Sequence, residues 1–113
     1  MPTVRSDSLS QPELLKIVLQ RILRVVQPSR VVLFGSAARG QMTPDSDLDL
    51  LVIVPSPAHR RQLEQSIYTH LRGVHFPVDV VVATEEDIEK YGDRLGTIYR
   101  PALREGKVIY ESG

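Results

Sequence analysis

Apolar residues along this chain switch between two periods, and the switches mark out its elements. Leu14, Leu15, Val18, Leu19, Ile22, Val25 and Val26 recur at steps of three and four, the spacing that lines one face of a helix. Ser10 and Glu13 form a capping box ahead of that stripe, with Leu9 and Leu14 placed as a hydrophobic staple across it. The helix is therefore expected to start at Gln11 and to stop before Pro28. Then the pattern changes. Val31-Val32-Leu33-Phe34, halted by Gly35, reads as a short buried strand. Residues 47–54 read as a second strand, apolar on both faces after an opening Asp-Leu-Asp, and so belong at the centre of a sheet. Residues 58–71 carry Leu63, Ile67 and Leu71 on one helical side, with Arg60, Arg61, Glu64 and Gln65 expected to face solvent. A third strand follows over 76–83. Thr84 and Asp87 cap a helix over 85–91, a short helix covers 98–105, and residues 107–110 form a last short strand at a sheet edge. The order helix-strand-strand-helix-strand-helix-helix-strand predicts an α/β, or α+β, domain on a small mixed sheet.

Length and charge narrow this picture. A chain of 113 residues holds one domain with a real core and is too short for two. Residues 1–9 are expected to be a flexible N-terminus, with the domain spanning 10–113. The formal net charge is zero, so no global field draws nucleic acid, any basic surface is local, and direct nucleic-acid binding is not expected. Without cysteine there is neither a disulfide framework nor a thiolate ligand or nucleophile. No apolar stretch has the length of a membrane span or the form of a signal-peptide core. A cytoplasmic setting fits these features.

Chemistry concentrates between residues 31 and 54. Gly35 permits a sharp turn and a close ligand approach, Ser36 adds a hydroxyl, and the free N–H groups of such a turn attract anions. After ten intervening residues, Asp47 and Asp49 stand at strand positions i and i+2, which point to one face. Two carboxylates about 4 Å apart repel by roughly 4 kcal/mol at an effective dielectric near 20, so such a pair calls for a cation. Hard oxygen ligands beside a phosphate-binding turn suggest Mg²⁺. Asp79 is the sole charge in the third strand pattern, near its start, and an ionised group there is costly unless paired or metal-bound. If the two strands are neighbours, Asp47, Asp49 and Asp79 converge on a site able to hold two divalent ions. Arg39 reads either as a phosphate contact or as a structural partner of Asp45 or Asp47. Arg100 and Arg104, one helical turn apart, could be a solvated face, an acidic-partner site or a phosphate clamp.

Rival motifs fail on their own terms. Asp45-x-Asp47-x-Asp49 imitates the start of a calcium loop, but Leu50 and Ser56 occupy the positions that need Gly and Glu. There is no P-loop, and His59, His70 and His75 lack metal-ligand spacing. By contrast, Gly35-Ser36, Asp47-x-Asp49 and a later Asp79 in a strand resemble the signature of the polymerase-β-type nucleotidyltransferase superfamily. The likeness spans about residues 30–110, and the short chain resembles the minimal nucleotidyltransferases, found as antitoxins beside HEPN-family toxins.

That resemblance implies helices packed mainly on one face of the sheet and carboxylates on the other. It implies Mg²⁺, two ions held by Asp47, Asp49 and Asp79, and ATP as the nucleoside triphosphate, with Gly35, Ser36 and Arg39 at the nucleotide. It further implies transfer of AMP to a hydroxyl, a tyrosine of a partner HEPN RNase toxin, by an antitoxin working in a hetero-oligomer. Two other readings stay open: an antitoxin that neutralises its partner by binding alone, and an enzyme acting on a small aminoglycoside-like molecule.

Overall fold

In the computed structural model, residues 4–5, 11–35, 47–94 and 99–112 are described. Strand β1 (Val4–Arg5) precedes helix α1 (Gln11–Leu23), which starts where the capping pattern puts it. Leu14, Val18 and Ile22, one turn apart, are its buried row. The helix ends sooner than its apolar stripe: the N–H groups of Val25 and Val26 both reach the Ile22 carbonyl, at 2.9 and 3.1 Å. This closing turn leads to the buried Pro28.

Strands β2 (Arg30–Phe34) and β3 (Leu48–Val54) follow, then helix α2 (Arg60–His70), strands β4 (Val74–His75) and β5 (Val78–Thr84), helices α3 (Glu85–Tyr91) and α4 (Tyr99–Glu105), and strand β6 (Lys107–Glu111). The main sheet has the order β5-β3-β2-β6. β3 is antiparallel to β2 and parallel to β5, and β2 is antiparallel to β6. The sheet is thus mixed, with the most apolar strand, β3, at its centre. A parallel neighbour requires a crossover, and α2 supplies it. Gly73, at φ +89°, turns the chain back after α2. The guanidinium of Arg21 on α1 fastens that corner, donating to the carbonyls of Arg72 (2.6 Å) and His70 (3.2 Å).

Residues 4–5, expected within a flexible N-terminus, instead pair with Val74 and His75 in a two-stranded parallel ladder. Two short strands met only in space give no periodicity to read.

Alternation along the strands divides the core. Val31, Leu33, Leu48, Leu50, Val52, Val54, Val80 and Val82 pack under α1 and α2, the two long helices. On the opposite face Val32, Leu51, Ile53 and Ala83 meet Ala102 and Leu103 of α4 and Ile88 of α3. This second layer is small. No helix among the described residues is long and apolar enough to cross a membrane.

β5 is an outer strand, and unpaired N–H groups on an outer strand invite pairing with another chain. Here they are taken up by side chains. The Val80 N–H donates to the Tyr68 hydroxyl (2.8 Å), that of Val82 to Glu64 Oε2 (3.3 Å), and that of Thr84 to Asp87 Oδ2 (3.0 Å). Arg60 holds Asp87 at 3.1 Å. Arg60, Glu64 and Tyr68, four residues apart on α2, thus run along the edge. Glu64, expected to face solvent, is half-buried in this role.

Candidate active site

The parallel register of β3 and β5 sets Asp49 directly beside Asp79. Paired residues of neighbouring strands point to the same face, so the two carboxylates share the side of Leu51, Ile53 and Ala83, beyond the short helices. The ladder extends one step earlier, the Leu48 N–H donating to the Pro77 carbonyl at 3.0 Å. Asp47, just ahead of β3, therefore stands at the same strand end. Asp47 and Asp79 are exposed and Asp49 is half-buried.

Like charges gather at this end. Burial first, then the charges of Asp79 and of Asp47, push the Asp49 carboxyl above the usual carboxylate range. Among the described residues no three His, Cys, Asp or Glu side chains close into a metal-holding group, and like charges oppose such closing. The donors nevertheless suit a hard divalent cation, being carboxylate oxygens only and reachable from solvent. A cation there would offset the charges of Asp79 and Asp47 that, after burial, raise Asp49.

Gly35 ends β2 on the other side of Asp49, whose register partner is Phe34. Its φ is +73°, and a Cβ there would run into Asp49 Oδ2 and stand 3.2 Å from the carboxyl carbon. The glycine is thus required twice, by backbone sign and by the carboxylate above it. Ser36, Arg39 and Asp45, the remaining residues expected around this turn, lie outside the described residues. So does Ser10, the expected cap of α1.

Of the other candidates, His59 precedes α2 without a side-chain capping bond, and His70 Nδ1 lies 2.9 Å from the Ser66 carbonyl on its own helix. Arg100 is half-buried and Arg104 exposed on α4. Asp79 meets a tyrosine. Tyr68 Oη lies 3.5 Å from Asp79 Oδ1, a neighbour that sequence reasoning missed, because α2's course along β5 follows from the strand order.

Known proteins bear on this geometry. A family described as the nucleotidyltransferase domain matches residues 12–107. The chain belongs to that family. Similar solved structures show the same fold. One is a candidate nucleotidyltransferase from Sulfolobus solfataricus, 19% identical, with a TM-score of 0.60 over 98% of this chain and 92% of that one. Another is a chain from a toxin–antitoxin structure with AMP-PNP, 22% identical, with a TM-score of 0.52 over 84% of this chain and 72% of that one. No curated protein matches. This nucleotidyltransferase domain is the small α+β unit on a mixed sheet that the residue pattern predicts; the resemblance implies helices mainly on one face, and the two long helices lie there while α3 and α4 pack on the face of Asp49 and Asp79.

Proposed function

We propose that this domain transfers a nucleoside monophosphate, AMP from ATP, onto a hydroxyl and releases pyrophosphate, using Mg²⁺. The observation that carries the reading is the β3–β5 register, which places Asp49 against Asp79 with Asp47 two residues upstream. Asp47, Asp49 and Asp79 would hold two Mg²⁺ ions. Bound there, the ions would neutralise the triphosphate and lower the pKa of the acceptor hydroxyl. Gly35, whose missing side chain gives its space to the Asp49 carboxylate, would offer its backbone to the triphosphate, and Ser36 and Arg39 would contact it. ATP is favoured by the neighbour solved with AMP-PNP.

On this reading the acceptor is brought in from outside the domain. The toxin–antitoxin neighbour and the resemblance to minimal nucleotidyltransferases together support a protein partner, a HEPN-type RNase toxin whose tyrosine receives the nucleotide. On this reading the protein is a cytoplasmic antitoxin that works in a hetero-oligomer. Because the three carboxylates act as a unit, Asp49→Ala is expected to abolish transfer nearly as completely as loss of all three. Transfer assayed with α-phosphorus-labelled ATP checks this, and label transfer at the unmodified rate in Asp49→Ala would reject the mechanism.

A further inference from the structure

Tyr68 has a place in the site that its helix alone does not explain. Glu64 and Tyr68 perform the same structural task, each accepting an edge N–H of β5, at Val82 and Val80. Tyr68 does something more. Having accepted from Val80, its hydroxyl still has a proton to give, and two acceptors lie within reach: the Val80 carbonyl at 3.4 Å and Asp79 Oδ1 at 3.5 Å. An ionised carboxylate is the stronger acceptor of the two. The phenol is thus fixed by the backbone N–H that immediately follows Asp79 while it faces the Asp79 side chain. It is 41% exposed.

We propose that Tyr68 is a positioning residue for Asp79: its hydroxyl orients the carboxylate toward the site formed with Asp47 and Asp49. The inference rests on the nucleotidyltransferase reading of those three aspartates. Partners of this kind orient the ligands that carry a metal's chemistry, and their loss costs about 10–100-fold in metal affinity or activity.

The test compares Tyr68→Phe, which keeps the ring and removes the hydroxyl, with Glu64→Ala, which removes an equivalent edge contact away from Asp79. Mn²⁺ binding to the protein, followed by electron paramagnetic resonance, is read beside steady-state transfer. Tyr68→Phe is expected to weaken Mn²⁺ binding and lower kcat about tenfold with the nucleotide KM unchanged, while Glu64→Ala lowers Tm and leaves both near the unmodified values. Equal losses in the two variants would make Tyr68 an edge cap only and overturn the inference. So would unmodified Mn²⁺ affinity and kcat in Tyr68→Phe. Attachment of AMP to Tyr68 itself, seen by peptide mass mapping, would make it an acceptor and overturn the positioning role. Absence of Mn²⁺ binding by the unmodified protein overturns both this inference and the functional reading beneath it, whereas a failure confined to Tyr68→Phe overturns this inference alone.

Discussion

At the scale of single residues, the site is defined by what crowds Asp49. Asp79 stands beside it across the parallel ladder, Asp47 stands two residues upstream, and Gly35 lies against its carboxylate. The glycine gives the sharpest test of this packing. Gly35→Ala must hold a left-handed φ, which costs about 1–2 kcal/mol, and must also displace the Asp49 carboxylate. The expected outcome is a Tm lowered by several degrees together with loss of nucleotide binding, followed by thermal unfolding and calorimetric titration. An alanine variant as stable as the original and binding nucleotide equally well would contradict the geometry. The three aspartates were legible in the sequence because period-two alternation and an apolar strand leave a carboxylate few places to go. Tyr68 was not, since a tyrosine on a polar helix face carries no local sign of the strand edge that it meets.

At the scale of elements, the edge of β5 is held by side chains from two helices, and Asp87 links them. It closes the capping box of α3 with Thr84 and pairs with Arg60 of α2. Burial works to raise its carboxyl, but hydrogen bonds from the Thr84 backbone and hydroxyl, with the charges of Arg60 and Lys90, outweigh this and hold it below the ordinary carboxylate value. A depressed folded pKa means that the ionised group contributes stability above the unfolded value near 4, and that this contribution is lost as pH falls through the folded value. Asp87→Ala should therefore cost about 1 kcal/mol at neutral pH, and the gap from the unmodified protein should shrink as pH falls below about 4. Thermal unfolding of both proteins between pH 7 and pH 3.5 measures it; a gap that widened on acidification would refute the assignment. The capping of α3 and the start of α1 were readable because such signals are local. The end of α1 was less so: Val25 and Val26 continue the apolar stripe, yet both their N–H groups fold back onto Ile22.

For the whole molecule, strand adjacency decides which aspartates meet. The aspartates converge only if β3 and β5 are neighbours, as they are. Nothing in a linear pattern specifies which strands pair, or the short ladder of residues 4–5 with 74–75. The apolar character of β3 did indicate a central strand, and there it lies, flanked by β2 with its Gly35 turn and by β5 with Asp79. The fold thus gathers, at one end of one sheet face, residues that are up to 44 positions apart in the chain. The second layer of α3 and α4 packs on the same face as the aspartates, while Asp47 and Asp79 remain exposed, an arrangement suited to an acceptor brought in by another protein. The most direct test of that account is the intact mass of a partner toxin incubated with this protein, ATP and Mg²⁺, in parallel with Asp47→Ala. The account predicts an AMP-sized increase, or a ladder of such increases, with the unmodified protein alone; a stable complex whose partner mass never changes would contradict it.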